Sequence, residues 1–199
     1  MLGSNTSAIY LAVADGKIVR RTKEPTATSK ERITKTGKVV HEEHYDYVMG
    51  LIVDISTREN EYGKFWNVVL LDGSEKYTLQ FQYSGGNASS FLRALPNVDL
   101  SKPVKMIPRV QIDKEKKRSS IVMVQGENAI RWKWTKDNPG DMPTLRKVKV
   151  KGIEQWDDSD MMEYLEKYVF TEIKPKLQSP AFAFTFDAVH PETEDEAPF

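Results

Sequence analysis

Residues 84–97 read SGGNASSFLRALPN, and this short stretch decides what kind of fold the chain makes. Gly85 and Gly86 break the extended pattern before them. Asn87 is a residue type that caps helices, and Phe91, Leu92 and Leu95 follow at helical spacing. Pro96 ends the run, because a proline inside a helix loses a hydrogen bond and clashes with the preceding turn. The stretch predicts one short helix over 87–95, set into a chain that otherwise reads as strand.

Just upstream, EKYTLQFQY (75–83) alternates cleanly. Tyr77, Leu79, Phe81 and Tyr83 fall on one face, and Lys76, Thr78, Gln80 and Gln82 on the other. One face packs and the other meets water or a ligand. FWNVVLLDG (65–73) is a strand that stops at Asp72-Gly73, and TRENEYGK (57–64) is the turn before it, with Gly63. In YDYVMGLIVDI (45–55), Tyr45, Tyr47, Met49, Leu51, Val53 and Ile55 share a face and are expected to point inward. Downstream lie VKMIPRVQI (104–112) and SSIVMVQ (119–125), joined by the charged turn DKEKKR (113–118). Shorter extended pieces follow at AIRWKW (129–134) and TLRKVKVKG (144–152). Periodicity alone allows any small barrel or half-open sheet. Three strands over 45–83, a helix over 87–95 and two strands over 103–125 favour an OB-fold, a five-stranded barrel in which a short helix sits between strands 3 and 4. The expected class is mainly β.

The flanks divide the chain further. Residues 8–20, AIYLAVADGKIVR, read as a hairpin turning at Asp15-Gly16. Residues 21–44 are polar and basic with few apolar anchors, and are expected to be a loop or mobile arm. The body then spans 1–151. From Trp156 the pattern is helical, with Asp157 and Asp158 as candidate caps. Met161, Met162, Leu165, Tyr168, Val169 and Ile173 recur at three- and four-residue steps. This predicts a C-terminal amphipathic helix within 152–180, closed off by Pro175 and Pro180. Residues 181–199 form an acidic tail, expected to be disordered because its last part, 187–199, has little to bury.

The formal net charge is zero, yet it is unevenly spread. Residues 1–151 hold 26 Lys and Arg against 17 Asp and Glu, and residues 152–199 hold 3 against 12. A body at +9 and a C-terminal part at −9 suggest a basic binding surface with an acidic appendage. There are no cysteines. That excludes disulfides, thiolate metal sites and cysteine nucleophiles, and fits a reducing compartment. No apolar run reaches the ~18 residues of a membrane span, and the N-terminus lacks the basic start of a signal peptide.

Catalytic signatures are missing. Gly85-Gly86 lacks the spacing and the Lys-Ser/Thr of a phosphate-binding loop, and there is no His-Glu-x-x-His. HEEH (41–44) has two histidines and two glutamates, but its setting reads as an arm entering a strand, so a solvated polar stretch is the simpler account. Helix capping explains Asp157, Asp158 and Asp160 more cheaply than a cation does. No metal or cofactor is expected, and the chain is not expected to be an enzyme.

Aromatic and cationic residues are instead interleaved. YGKFW (62–66) offers Tyr62, Lys64, Phe65 and Trp66. IRWKW (130–134) offers Arg131, Trp132, Lys133 and Trp134. MIPRVQI (106–112) has Arg109, which shares a face with Lys105 and Gln111, and Lys147 and Lys149 extend the track. Cations neutralise phosphates and flat rings carry unstacked bases, which is how single-stranded nucleic acid is held without sequence preference. Trp132 and Trp134 read equally well as core or as stacking surfaces. Tyr77, Leu79, Phe81 and Tyr83 read as core.

The tail ETEDEAPF (192–199) resembles the C-terminal tip of bacterial single-stranded DNA-binding proteins. The matching positions are Glu192, Glu194, Asp195, Glu196, Pro198 and Phe199. Over most of the chain, AIYLAVADGKIVRR (8–21), YGKFWNVVLLDGSEKYTLQ (62–80), FLRALPNVDLSKPV (91–104) and WDDSDMMEYLEKYV (156–169) resemble the single-stranded DNA-binding proteins of tailed phages of Bacteroides-type hosts, including crAss-like phages. The barrel does not resemble that of the cellular proteins, and the long Gly/Gln-rich linker before their tip is missing. The cellular proteins' tetramer therefore does not carry over. The resemblance implies a protein of the bacterial host's cytoplasm that coats single-stranded DNA during phage replication, recombination or repair. It also implies that the tip recruits replication and recombination proteins and competes with DNA. The rival expectation is a non-enzymatic OB-fold adaptor or structural protein of a replisome or virion.

Overall fold

The computed structural model describes residues 8–34, 36–113, 116–150 and 152–177. Its chain is mainly β. Asp15 and Gly16 lie at φ 48° and 74°, two consecutive left-handed residues that allow a two-residue turn matched to strand twist. They join β1 (Ile9–Ala14) to β2 (Lys17–Thr22), with Ala14 opposite Lys17. Next come β3 (Lys30–Ile33) and β4 (Val39–Tyr45). The stretch 21–44, expected as an arm or loop, thus extends the sheet, with β4 between β2 and β3. Its charges pair with one another. Glu42, almost fully buried, accepts Arg32 Nε and Nη2 at 2.9 and 2.8 Å and lies 3.6 Å from Arg21. Glu43 accepts Thr26 and Tyr45 hydroxyls, each at 2.7 Å.

A meander follows: β5 (Val48–Asn60), β6 (Gly63–Asp72) and β7 (Glu75–Gln82). After α1 (Gly86–Ala94) and a 3-10 turn (Leu95–Asn97), β8 (Val104–Asp113), β9 (Lys116–Gln125) and the short β10 (Asn128–Ala129) complete one ten-stranded sheet. Its order is β10-β9-β8-β5-β6-β7-β1-β2-β4-β3, and it does not close on itself. The free side of β7 is taken by β1, in parallel, with Ile9 opposite Tyr77 and Ala12 opposite Gln80. The corresponding side of β9 is shared by β10, at Val124 and Gln125, and by α1, at Ser119 and Ile121. Ser90 Oγ accepts the Ile121 N–H at 2.8 Å, and a Cβ on Gly86 would lie 2.0 Å from the Ser119 carbonyl oxygen. The expected five-stranded barrel is therefore not seen as a closed unit. The helix and the first hairpin occupy the two edges that would have to meet.

The core lies between the sheet and its helices and includes Ile18, Ile52, Ile55, Trp66, Leu70, Leu79, Phe91, Leu92, Leu95, Met106 and Ile121. The face expected for 45–55 is reversed at its start. Val48 and Ile52 are buried, and Tyr47 and Met49 are exposed. A bulge between Ile52 and Asp54 then shifts the phase, so that Ile55 points inward. Asn87 is not the cap of α1. Gly85 precedes the helix, and Asn87 Oδ1 is buried without a partner.

Trp156, expected to open the last helix, lies instead on a strand. β11 (Arg146–Val150) and β12 (Ile153–Asp157) pair as a separate two-stranded sheet. α2 (Ser159–Tyr168) follows and runs on through a π-helical turn (Val169–Ile173) and a 3-10 turn (Lys174–Lys176). It buries Met161, Met162, Leu165, Val169 and Ile173, the predicted stripe. No helix among the described residues is long and apolar enough to cross a membrane. The tail, including Glu192, Glu194, Asp195, Glu196, Pro198 and Phe199, lies outside the described residues.

Candidate nucleic-acid interface

The structure sorts the candidate aromatics by burial. Phe65, Trp66 and Trp134 are buried and belong to the interior. Trp66 stacks on Tyr83 with ring centroids 5.7 Å apart and on Phe170 at 6.2 Å, and its Nε1 donates to the Tyr83 carbonyl at 3.0 Å. Trp134 is met edge-on by Tyr164 and Tyr168, at 5.7 and 4.9 Å. These rings cannot reach a base without unfolding the seat of α2. Their two neighbouring lysines are engaged there as well. Lys64 Nζ lies 2.7 Å from Glu166 and 4.0 Å from the Tyr83 ring centroid. Lys133 Nζ donates to the Tyr168 hydroxyl at 2.8 Å. Tyr62 is exposed in the β5–β6 turn, and its backbone N–H donates to Asn60 Oδ1 at 2.9 Å.

Lys105 and Arg109 stand on the outer face of β8, opposite its buried Val104, Met106 and Pro108. Directly paired residues share a face. Met49 pairs with Lys105, Lys105 with Val124, and Val124 with Ala129, so one row crosses β5, β8, β9 and β10. A second row holds Ile107 and Val122, and a third Arg109 and Ser120. Lys105 Nζ rests 3.8 Å from the centroid of the exposed Tyr47 ring. Among the described residues no carboxylate lies within ion-pair distance of Lys105, Arg109 or Arg131, whereas Arg118 is 3.4 Å from Asp113.

The chain leaves β10 and continues through Ile130 into Arg131 and Trp132. Trp132 is 44% exposed, and Arg93 Cζ lies 5.4 Å from its ring centroid. Two hydrogen bonds fix this segment to the end of α1 and the turn after it. Asn97 Nδ2 donates to the Arg131 carbonyl at 2.9 Å, and the Lys133 N–H donates to the Arg93 carbonyl at 2.8 Å. Partial burial pulls the Arg93 guanidinium below its ordinary pKa, but an arginine stays cationic at neutral pH.

Sequence reasoning therefore named Lys105 and Arg109, which share the outer face of β8, and Arg131 and Trp132, which follow β10 beside the end of α1. It missed Tyr47, Met49 and Arg93. The apolar run VMGLIV fits either phase of a strand. Only Gly50 marks the inward side, since a Cβ there would meet the Leu71 carbonyl oxygen at 2.9 Å. Lys147 and Lys149 lie on the separate β11–β12 sheet. No group of three or more metal-ligating side chains occurs among the described residues. In HEEH the odd spacing on β4 sends His41 and His44 to opposite faces, and Glu42 and Glu43 are taken up by arginines and hydroxyls.

No protein-family model matches the chain, and neither a curated protein nor a solved structure matches it.

Proposed function

We propose that the chain binds single-stranded DNA along the band from Tyr47 through Lys105 to Trp132, without catalysis of its own. The carrying observation is the Tyr47–Lys105 pair, an exposed ring with a lysine at 3.8 Å and, among the described residues, no carboxylate within ion-pair distance of that lysine. A base can lie on such a ring while the cation turns to the flanking phosphate. Met49, Ile107, Val122 and Val124 add apolar surface between the two aromatic stations, and Arg109 and Arg131 add charge. A strand held in this way is read by stacking and by charge, without base-edge hydrogen bonds.

The strand order supports the finer reading of the fold as an OB barrel opened to accept extra elements. In β9-β8-β5-β6-β7 with α1 between β7 and β8, the third strand is followed by the helix and the fourth strand returns beside the first. On this reading the acidic residues of 187–199, with Pro198 and Phe199, compete with DNA for the basic band and recruit replication proteins. The protein then acts in phage replication or recombination inside a bacterial host.

Fluorescence and anisotropy titration with oligo(dT), oligo(rU) and duplex DNA tests the reading. Oligo(dT) is expected to bind most tightly and to quench tryptophan emission. Affinity should fall with salt at a log–log slope of about −0.7 per phosphate neutralised. Replacing Arg109 by Ala should reduce the magnitude of that slope by about 0.7. Failure to bind oligo(dT) at low salt would leave the adaptor reading in its place.

A further inference from the structure

The β11–β12 hairpin is unexplained by the band just described. It forms its own two-stranded sheet, and such a ribbon is marginally stable by itself. It nevertheless carries two large exposed apolar side chains, Trp156 at 64% and Ile153 at 71%. An indole left in water contributes little to the fold that carries it.

What surrounds Trp156 is specific. Its cross-strand partner is Lys147, whose Nζ lies 5.4 Å from the indole centroid. The same Nζ is 3.4 Å from Glu154. Lys147, Glu154, Gln155 and Trp156 line a shallow cleft of about 130 Å³. The next pair toward the root is Arg146 opposite Asp157. Arg146 Nη2 lies 2.7 Å from Asp160 at the start of α2. The Asp157 carboxylate accepts the Ser159 hydroxyl and, at 3.0 Å, the Ser159 N–H, and these two bonds, the hydroxyl's foremost, hold its pKa below the usual range. The root of the ribbon is thus tied to α2, and Trp156 sits one residue pair above the tie. Residues 146–157 hold four cations and two acids. Lys149 is exposed on the same face as Lys147, two residues along the strand.

We infer that the β11–β12 hairpin is a second station for the same single-stranded DNA, with Trp156 stacking one base. Lys147 gives up its place over the ring and turns to a phosphate, and Lys149 meets another. The charge favours a polyanion over an acidic or apolar protein segment, and the free ring favours an unpaired base over duplex. The inference rests on the reading of the chain as a binder of single-stranded DNA. It adds a site off the main sheet and the residue that serves it.

The test is oligo(dT) binding by the full chain carrying Trp156→Ala, Trp156→Phe or Lys147→Ala, beside Trp132→Ala. Long oligo(dT) should bind Trp156→Ala about 5- to 150-fold more weakly than the unmodified chain, the range expected for loss of one stacked base. Trp156→Phe should restore most of that loss. Lys147→Ala, which leaves the ring in place, should reduce the magnitude of the salt slope by about 0.7. If Trp156→Ala and Lys147→Ala bind as the unmodified chain does while Trp132→Ala is weakened, the hairpin is not a station and the main band stands. If the unmodified chain binds no oligo(dT), both the band and the hairpin proposal fall together.

Discussion

The phenolic hydroxyl of Tyr83 donates to the carboxylate of Glu166 at 2.7 Å, across 83 positions of sequence. Lys64 Nζ donates to the same carboxylate at 2.7 Å, and the Thr57 hydroxyl donates to it at 3.1 Å. One acid on α2 therefore gathers groups from β5, β6 and the end of β7. Beside it Phe170 lies on Trp66, and Lys174 Nζ caps the Ile55 carbonyl at 3.0 Å. This is how the last helix is seated.

Glu166 should make stability depend on acid pH. Its burial, the largest influence, opposes ionisation, but the hydrogen bonds from Lys64 and Tyr83 and the lysine charge together outweigh it and hold its pKa below 4.5. A carboxyl with a lowered folded pKa stabilises the fold fully above the unfolded value, and that contribution is lost as pH falls through the folded value. Replacing Glu166 by Ala should cost about 2 kcal/mol at neutral pH, because charged hydrogen bonds are lost and their donors stranded. Urea melts of both forms at pH 7 and below pH 4 check this: the gap between them should shrink in acid.

The four tryptophans should separate by what their loss damages. Trp66→Ala empties a site with 0% exposure and should cost about 3–5 kcal/mol of stability. Trp132→Ala should leave the melting temperature nearly unchanged and weaken oligo(dT) binding by about 1–3 kcal/mol. Thermal melts and titrations on the same samples decide it. An unstable Trp132→Ala would move that ring from the interface into the core.

Gly86 should be intolerant of a side chain. A Cβ there falls 2.0 Å from the backbone oxygen of Ser119, so α1 must withdraw from β9 or the strand must bend. Gly86→Ala is expected to destabilise by about 1–3 kcal/mol, the usual cost of overpacking. Addition of Ala at Gly126, where nothing lies within 4 Å but φ is +58°, tests backbone strain alone. Gly86 has no positive φ, so its loss reports packing, and the Gly126 melt gives the cost of strain at an open position for scale.

The acidic segment should act against DNA. Residues 187–199 hold five acids and no Lys or Arg, and a tethered polyanion has a high effective concentration at a basic surface. Deleting 191–199 should tighten oligo(dT) binding at low salt, with the gain shrinking as salt screens the competition. Equal affinity of the two forms at low salt would rule the competition out. Removing Phe199 alone should leave DNA affinity unchanged and abolish pull-down of replication proteins.

The alternating strand 75–83 and the helix after it were legible because each has a single sensible period. Leu79 and Phe81 are buried as that period demands, although Thr78 on the face expected to meet water is buried as well. The phase of β5 was not legible, since nearly every residue from Val48 to Val53 is apolar and the bulge lets both phases be partly right. Residues 21–44 read as an arm because their charges look solvated. Their partners, such as Arg32 and Glu42 on adjacent strands, become visible only once the strands are paired. Trp66 and Trp134 looked like stacking surfaces because their neighbours are Lys and Arg, and what buries them arrives from α2, far along the chain. Trp156 reads as helix in the sequence because β12 ends two residues before α2 begins. The candidate band was half legible: its cations show in the sequence, and its outward rings depend on strand phase.

The parallel join of β1 to β7 also sets a timetable for the newborn chain. β2 finds β4 soon after it is made, but Ile9 and Leu11 must wait for Tyr77 and Leu79. At ribosomal speeds of about 5–20 residues per second, the roughly 60 residues between the first hairpin and the end of β7 take on the order of 3–12 seconds to appear. Through that interval the ribbon carries an unpaired edge with apolar side chains beside it, the condition under which nascent chains pair wrongly with one another. Crowded ribosomes translating this message at high rate are where misassembly is most to be expected.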